Sequence, residues 1–442
     1  MASQDQLHIV MVPWLAFGHL NPFLELSKSL ANMGHRISFI STPRNIQRLL
    51  PNLSSNLSSS SLISFVSLPL PKDENLHDQA EATIDLPAEE VPYLKRAYDG
   101  LERPVSSFLE TSRPDWIIYD LAPYWLPAIA PIILGLNVNF YFFTTFNASV
   151  NCFFGPPSGF WESGEDDSSG TKKPRDLTVP PIFGTVEIKL SGVTDGHRIS
   201  SAIKGCEIMA IRSCMEVESE FLGLFENLFK KQVIPVGLLP PPPSPEYENH
   251  EAWGRMKEWL DRQEKASVVY IALGTEAAFS REEITELALG LELSKLRFFW
   301  VLRERDPPSM LSEGFEDRTR GNGFMCFSWA PQMRILGHPS VGGSLNHCGW
   351  SSVVEELGVG CPLILLPMAC DQPLVARFLA WKEMGLEVER KEEDGSFTGE
   401  SIAKALRRVM VDEDGEKYRL LNDGYVERFS HYLKEHKRQQ TI

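Results

Sequence analysis

Residues 341–356 read VGGSLNHCGWSSVVEE, and the fold prediction starts from this stretch. The pattern predicts a short strand, then a turn that contains His347 and Gly349, and then a helix whose apolar residues recur at helical spacing. Ser351 and Ser352 stand where that helix opens. A strand followed by a turn and a helix is the repeating unit of parallel α/β layers, so the stretch predicts one such unit.

Short apolar runs alternate with amphipathic segments on both sides of this stretch, which predicts two doubly wound α/β halves. The first helix is expected to run to about Asn32, with Gly18 and His19 in the loop before it and Pro22 in its first turn. Residues 154–200 show no sustained period and are predicted to be a loop. Strands are predicted at 7–12, 36–41, 62–68, 116–119, 138–143, 208–212, 233–236, 268–272, 298–302, 324–328 and 363–366.

A proline-rich segment separates the two halves. Residues 237–250 read GLLPPPPSPEYENH, and four consecutive prolines favour an extended spacer that belongs to neither a helix nor a central strand. We therefore expect a first domain at 1–236, a linker at 237–250 and a second domain at 251–424. A final helix at 425–442 carries Val426, Phe429 and Leu433 on one face, so it should pack on another surface, for which the first domain is a candidate.

The composition argues against several classes of function. The 442 residues carry 43 Lys and Arg against 59 Asp and Glu, a formal net charge of −16, so no nucleic-acid partner is expected. The start of the chain has no basic segment typical of an export signal, and apolar runs are short or interrupted, so no stable membrane insertion is expected. Seven irregularly spaced cysteines without a CxxC pair indicate buried thiols in a reducing compartment. These features predict a cytoplasmic protein.

Two residues of the first half have the right types for a base that works at neutral pH. His19 follows the first predicted strand and Asp120 ends another, and the carboxyl ends of parallel strands open into a ligand crevice. A histidine whose second ring nitrogen is held by a buried carboxylate can take a proton from a hydroxyl. The sequence does not show that Asp120 reaches His19, so a structural role for this histidine stays open.

The stretch 341–356 also predicts an anion site, because a helix N-terminus with serine hydroxyls beside His347 can bind phosphate. The alternative is that Ser351 only caps its helix. No GxGxxG follows the first strand and no GxxxxGK[ST] occurs, which argues against a dinucleotide dehydrogenase or a P-loop kinase. The run 412–414 has a DxD pattern, but a solvated turn explains it better, so no metal site is expected.

Residues 329–372, WAPQMRILGHPSVGGSLNHCGWSSVVEELGVGCPLILLPMACDQ, resemble the signature box of plant UDP-dependent glycosyltransferases. The segments PWLAFGHLNP (13–22) and IIYDLAPYW (117–125) resemble motifs in the N-terminal half of the same family. FISTPRNIQRL (39–49) and ALGTEAAFS (272–280) resemble the branch that adds sugars to existing glycosides. The resemblance implies the α/β fold called GT-B, with two facing Rossmann-like doubly wound domains, the acceptor in the N-terminal half and the nucleotide sugar in the C-terminal half.

The resemblance also implies a role for individual residues. Trp329 would stack on uracil, Gln332 would lie at the base edge, and Glu355 would bind the ribose hydroxyls. The closing glutamine of the box is associated with glucose. The other residues implied in UDP-sugar binding are Gly18, Gly274, Thr275, Ala330, His347, Gly349, Trp350, Ser351, Ser352, Asp371 and Gln372.

Three positions depart from the common pattern of that family. Ser351 stands where asparagine is usual, Ser344 where an aromatic residue is frequent, and Asn346 where threonine or serine is frequent. Serine can still donate a hydrogen bond to phosphate but is shorter than asparagine. The departure at position 351 therefore bears on donor affinity or on the choice of sugar.

Together these features predict a UDP-glycosyltransferase, a hexosyltransferase of plant secondary metabolism. It is expected to be a monomer that moves a sugar, most simply glucose, from a UDP-sugar to a hydroxyl of a plant small molecule or its glycoside, with inversion and without a metal or other cofactor. His19 would be the base and Asp120 would orient it. Two other classes stay open: a nucleotide-sugar epimerase, which would need no acceptor, and a catalytically weak UDP-binding protein, which Ser351 keeps possible.

Overall fold

The computed structural model describes residues 6–53, 60–134, 139–156, 195–243, 251–274, 279–302, 310–391, 394–415 and 417–418. These residues form two compact units, of which the first ends at Leu239 and the second begins at Pro240. Each unit is built on one parallel sheet with helices between the strands. The boundary lies inside the proline-rich segment 237–250, whose residues 244–250 lie outside the described part of the chain.

The first unit contains a seven-stranded sheet in the order β3-β2-β1-β4-β5-β6-β7, and each neighbouring pair is parallel. Its strands are β1 (His8–Val12), β2 (Arg36–Ser41), β3 (Ile63–Ser67), β4 (Trp116–Tyr119), β5 (Asn139–Thr144), β6 (Ile208–Ile211) and β7 (Gln232–Pro235). Its helices are α1 (Phe17–Asn32), α2 (Pro43–Leu49), α3 (Val91–Asp99), α4 (Glu102–Ser112), α5 (Leu126–Leu134), α6 (Ala148–Phe154), α7 (Asp195–Gly205) and α8 (Met215–Phe229).

The second unit contains a six-stranded parallel sheet in the order β10-β9-β8-β11-β12-β13. Its strands are β8 (Val268–Ala272), β9 (Arg297–Val301), β10 (Gly323–Cys326), β11 (Val341–Asn346), β12 (Leu363–Leu365) and β13 (Gly385–Glu387). Its helices are α9 (Glu251–Asp261), α10 (Arg281–Ser294), α11 (Phe315–Arg318), α12 (Gln332–Leu336), α13 (Trp350–Gly358), α14 (Gln372–Trp381) and α15 (Gly399–Met410).

Both sheets are buried on both faces, which explains why their strands appear in the sequence as continuous apolar runs. In β1, Val10 and Val12 belong to one hydrophobic cluster, whereas Ile9 and Met11 belong to the cluster on the other face. The same alternation divides residues of β8 between two clusters. Successive side chains of a strand point to opposite faces, so each sheet is covered on both sides by helices.

The start of α1 differs from the prediction. The helix begins at Phe17, so Gly18 and His19 lie in its first turn rather than in a loop, and Pro22 lies inside the helix. The N–H groups of His19 and Leu20 already donate to the carbonyl of Ala16, which closes the first turn before the proline is reached. Pro22 has no N–H to give to the carbonyl of Gly18. The proline therefore removes one helical hydrogen bond near His19 without ending the helix.

The predicted loop 154–200 is wrong for its last six residues, because helix α7 begins at Asp195. Its buried side includes Arg198, and the guanidinium donates to both carboxylate oxygens of Asp99 at 2.6 Å. A charged residue stands at a buried position where an apolar residue is usual. The helical spacing of apolar residues is therefore incomplete, and the sequence pattern does not predict the helix. The rest of the predicted loop from 157, and the predicted helix 425–442, lie outside the described residues.

Two other expectations concern the whole chain. All seven cysteines are free thiols and most are buried, but Cys370 is exposed, so the prediction of buried thiols is wrong for that residue. None of the helices in the described ranges has both the length and the apolar character needed to cross a bilayer.

Candidate active site

The predicted site residues lie at the switch points of the two sheets. In the first sheet β1 and β4 are neighbours, and the chain leaves β1 toward β2 but leaves β4 toward β5, on the opposite side. The second sheet repeats this arrangement at β8 and β11. A crevice opens at the carboxyl ends of strands where the order reverses, and ligands bind there. His19 and Asp120 follow β1 and β4, and Gly274 and His347 follow β8 and β11.

The structure brings His19 and Asp120 into direct contact. Nδ1 of His19 lies 2.6 Å from Oδ2 of Asp120, whose side chain is only 1% exposed. The same Oδ2 accepts the N–H of Trp14 at 3.1 Å, and Oδ1 accepts the N–H of Leu121 at 2.6 Å. A carboxylate held by these donors is an acceptor, so it places the imidazole proton on Nδ1 and makes Nε2 the basic nitrogen.

Two residues that the sequence prediction missed also contact this histidine. The Thr145 hydroxyl lies 3.2 Å from Nδ1 of His19, and the Phe146 ring meets the imidazole edge-on with centroids 6.1 Å apart. Both residues follow β5, which is the neighbour of β4 in the sheet. The position directly after a buried strand was the available signal, because the carboxyl ends of adjacent parallel strands meet at one edge.

In the second unit the ring of His347 lies between two glycines. A Cβ placed on Gly274 would be 2.5 Å from Nε2 of His347, and a Cβ placed on Gly349 would be at the same distance. Gly274 also has a φ of +75°, which favours glycine. The imidazole therefore packs directly against backbone on two sides. Thr275, the other predicted residue of this turn, lies outside the described residues.

Helix α13 begins at Trp350, and Gly349 is its N-cap. Ser351 and Ser352 are therefore the second and third residues of the helix, and the alternative in which Ser351 caps it is wrong. The first turn contains no acidic side chain. Because the first-turn N–H groups of a helix lack helical partners and the helix dipole is positive there, this end suits an anion. Trp350 is almost fully buried, so its ring supports the helix start from inside.

The predicted uridine residues form a second group in this unit. The Tyr270 hydroxyl donates to Oε1 of Gln332 at 3.3 Å, and Nε2 of Gln332 donates to Oε2 of Glu355 at 2.6 Å. Gln332, which the sequence places at the base edge, thus also positions Glu355. Trp329 is 58% exposed, which leaves ring surface for stacking, whereas Ala330 is buried.

Asp371 and Gln372 lie at the start of α14. Oε1 of Gln372 accepts the N–H groups of Met368 and Ala369 at 2.8 and 2.9 Å. These bonds fix the orientation of the amide, with its oxygen toward the preceding loop. Asp371 is the N-cap of the helix and is half-buried. Both residues are thus held beside an ordered loop.

Glu356, which the sequence prediction missed, lies behind the phosphate turn. It is 1% exposed, and its Oε1 accepts the Ser344 hydroxyl at 2.6 Å while its Oε2 accepts the Asn346 side-chain amide. The pKa of Glu356 is raised to about 8, chiefly by burial and also by the charge of Glu355, although the hydrogen bonds from Ser344 and Asn346 act to lower it. The available signal was an acidic residue three positions after Val353, on the buried side of α13.

The described ranges contain no group of three or more His, Cys, Asp or Glu side chains arranged to hold a metal ion. The predicted donor-site groups of the second unit are a histidine, helix N–H groups, serines, the amides of Gln332 and Gln372, and the carboxylates of Glu355 and Asp371. This set suits a phosphate and a ribose rather than a hard cation, which prefers several oxygen ligands.

Comparisons with known proteins decide the family. A family model described as glycosyltransferase, N-terminal domain matches residues 5–239, and one described as UDP-glucoronosyl and UDP-glucosyl transferase matches residues 249–420. UDP-glycosyltransferase 91A1 of Arabidopsis thaliana is 44% identical over 463 residues, with 97% of each chain covered. The chain belongs to the plant UDP-glycosyltransferase family. Of the classes that the sequence leaves open, the comparisons support the enzyme that transfers a sugar from a UDP-sugar to a small-molecule acceptor.

Two further relatives extend the comparison of this UDP-glycosyltransferase. Soyasaponin III rhamnosyltransferase of Glycine max is 40% identical, with 95% of this chain and 90% of the relative covered. The structure of Phytolacca americana UGT2 complexed with UDP-2fluoro-glucose and pterostilbene matches with a TM-score of 0.73 at 25% identity, covering 96% and 94% of the two chains. The predicted GT-B fold is confirmed.

Proposed function

We propose that this UDP-glycosyltransferase transfers a sugar to a hydroxyl of a plant small molecule or its glycoside by an inverting, metal-independent mechanism. The observation that carries the proposal is the 2.6 Å contact between Nδ1 of His19 and the buried carboxylate of Asp120. A histidine held in this way has one defined basic nitrogen and a negative partner that stabilises its protonated form.

In the proposed reaction Nε2 of His19 takes the proton of the acceptor hydroxyl. The acceptor oxygen then forms a bond to the anomeric carbon of the sugar, on the face opposite UDP, while the bond from that carbon to the diphosphate oxygen breaks. The electron pair of the broken bond leaves with UDP. An α-linked donor therefore gives a β-glycoside, and the imidazolium of His19 is stabilised by Asp120.

The negative charge that develops on the leaving diphosphate needs a counterpart. The N-terminus of α13, with Ser351 and Ser352, supplies N–H and hydroxyl donors, and His347 lies in the turn before it. These groups favour the charged leaving group through preorganised dipoles. With such a site a divalent cation is not required, which is why the proposal is metal-independent.

Glucose is the first candidate for the transferred sugar, because Gln372 closes the signature box and its amide is fixed by the loop at Met368 and Ala369. The relative named as a rhamnosyltransferase makes UDP-rhamnose the second donor to test. The same name describes transfer to a saponin, which supports a glycoside among the acceptors. We also propose that the enzyme is monomeric and cytoplasmic.

The test is an assay of the purified protein with UDP-glucose, UDP-galactose and UDP-rhamnose against paired aglycones and glycosides, read by mass spectrometry. We expect UDP release that depends on an acceptor, a product from UDP-glucose whose anomeric proton coupling shows the β configuration, and activity that persists in EDTA. Conversion of UDP-glucose to another UDP-sugar without an acceptor would favour the epimerase class. An α product from UDP-glucose, or activity that EDTA abolishes and magnesium or manganese restores, would overturn the mechanism.

A further inference from the structure

Glu356 joins helix α13 to strand β11 through both oxygens of one buried carboxyl group. Ser344 and Asn346, its two partners, are fully buried in β11. They are also two of the three positions at which this chain departs from the family pattern. A buried carboxyl group is costly unless its oxygens are hydrogen-bonded, so these three residues stabilise one another as a unit.

The orientation of the Asn346 amide follows from a third bond. Its Oδ1 accepts the N–H of Cys348 at 2.7 Å, so its nitrogen must face Glu356. This bond from side chain to the second following residue forms a turn that does not depend on the strand ladder. Cys348 has a φ of +64°, a conformation that costs a non-glycine residue free energy. Asn346 therefore stabilises a strained turn, and Glu356 holds Asn346.

The turn from Asn346 to Gly349 contains the residues of the proposed phosphate site. His347 is its second residue, and its ring packs against the backbone of Gly274 and Gly349 with no room for a Cβ at either position. A small shift of the turn would thus change where the imidazole and the N-terminus of α13 lie. Preorganised donors of this kind lose much of their effect when they are displaced.

We propose that Glu356 is a positioning residue of the UDP-sugar site, which acts through Asn346 to hold the turn that contains His347. The proposal rests on the function proposed above, because it assumes that this turn receives the diphosphate. The proposal also explains two departures from the family pattern. Ser344 and Asn346 donate the hydrogen bonds that make a buried carboxyl group at position 356 stable.

The surroundings of Glu356 favour its neutral form. Among the described residues, those that interact with it electrostatically include Glu355 on the same helix, Tyr270 on β8, and the thiols of Cys348 and Cys361. Each of these is an acid, so none supplies a positive charge. Ionisation of Glu356 would place a negative charge behind a site built for the diphosphate, so UDP should bind less tightly once this proton is lost.

The experiment compares E356A, E356Q and N346A in the full-length protein by calorimetric titration with UDP and by initial rates with varied UDP-sugar. We expect E356A and N346A each to weaken UDP binding by about tenfold or more, with a matching rise in the UDP-sugar KM, and to lower kcat as well, because the displaced donors also stabilise the leaving diphosphate. E356Q can still accept from Asn346, so its affinity should stay within about threefold of wild type. The E356A/N346A double variant should be little worse than either single variant.

Two controls separate positioning from general loss of stability. Glu218 is a buried carboxyl group of the first unit that accepts the N–H groups of Ala148 and Ser149. E218A should lower Tm but leave UDP affinity unchanged. H347A tests the proposed function itself: if H347A binds UDP like wild type, the donor site is misplaced. If H347A loses affinity while E356A and N346A keep it, only the inference about Glu356 is overturned.

A pH series adds a measurement that a purely structural role would not affect. Between pH 7 and 8.5 the UDP affinity of wild type should fall relative to that of E356Q, because only wild type gains the charge at position 356. The comparison removes the titration of UDP itself, which is common to both proteins. Parallel pH profiles for the two proteins would overturn the proposed electrostatic coupling.

Discussion

Asp120 determines which nitrogen of His19 is basic. Its Oδ2 contacts the imidazole and accepts the N–H of Trp14, and its Oδ1 accepts the N–H of Leu121. Both oxygens of the carboxylate therefore have a hydrogen-bond donor. Two of these donors belong to the backbone and do not change when a side chain is replaced. The direction of the imidazole is thus set by the fold at the ends of two adjacent strands, rather than by the histidine alone.

We expect His19→Ala to lower kcat by about 10²- to 10⁴-fold, the usual share of a positioned general base. Asp120→Asn should cause a similar loss of kcat. The kcat of the double variant should be little lower than that of the less active single variant, because the pair acts as a unit. Initial rates at saturating donor and acceptor measure this.

Thr145→Val is the matched control for this cycle. It removes a hydroxyl that lies 3.2 Å from the same Nδ1 but carries no charge, so kcat should stay within about fivefold of wild type. UDP affinity should be nearly unchanged in all of these variants, since the predicted donor residues other than Gly18 belong to the second unit. Additive losses for His19 and Asp120 would show that they do not act together.

Sequence reasoning reached the identity of these residues but not their contacts. The residue types and strand ends of His19 and Asp120 were readable, whereas the 2.6 Å contact depends on the pairing of β1 with β4 across more than 100 positions. Glu356 was missed because adjacent acidic residues on a helix usually face solvent. Only the partners on β11 make a carboxyl group tolerable at that buried position.

At the scale of elements, both sheets place their functional turns where the strand order reverses. The turn after β8 and the turn after β11 approach so closely that two glycines flank the His347 ring. Gly274 is the second residue after β8, and His347 directly follows β11. The position of the imidazole is therefore tied to the register between β8 and β11, in which Ala272 is paired with Asn346.

We expect Gly274→Ala to weaken UDP binding by about tenfold or more, because the new Cβ would lie 2.5 Å from Nε2 of His347 and the φ of +75° disfavours alanine. Calorimetric titration with UDP measures the loss. Gly254→Ala is the matched control, since a Cβ on this glycine of α9 would have no neighbour within 4 Å. Wild-type affinity in Gly274→Ala would mean that His347 does not contribute to UDP binding.

Most elements were predictable from apolar runs, but two helices show where such patterns fail. The start of α1 was misplaced because Pro22 is typical of a first turn, whereas here the helix already begins at Phe17. Helix α7 was missed because its buried side includes the ion-paired Arg198. Pro22 and Arg198 are both residues that a hydrophobicity or propensity pattern disfavours inside a helix. A local hydrogen bond in the first case and an ion pair in the second keep the helix stable.

At the scale of the whole molecule, Glu356 should make the stability of the enzyme depend on pH. Its pKa is about 8 in the folded protein against an ordinary value of 4.5. Between these values the unfolded chain releases the proton and the folded chain keeps it, so the free energy of unfolding falls as the pH rises. The contribution of Glu356 to stability is therefore complete below pH 4.5 and is lost as the pH rises to 8.

We therefore expect the stability of Glu356→Gln to rise relative to wild type between pH 5 and 8, by on the order of 1 kcal/mol per pH unit at most, and to level off above pH 8. Denaturant unfolding of both proteins at pH 5.5, 7 and 8.5 measures the difference, in which every other titrating group cancels. A difference that does not vary with pH would show that Glu356 has an ordinary pKa.

The bonds among Ser344, Asn346 and Glu356 also limit how this sequence can evolve. An aromatic residue at 344 would remove one partner of the buried carboxyl group, and a threonine at 346 would replace the amide donor by a shorter hydroxyl. Loss of the carboxyl group alone would leave buried donors without an acceptor. Each of these single substitutions is therefore unfavourable, although a combined change at all three positions need not be. The three positions form an epistatic group, so a substitution that is neutral in a related enzyme should be harmful here until its two partners have changed as well.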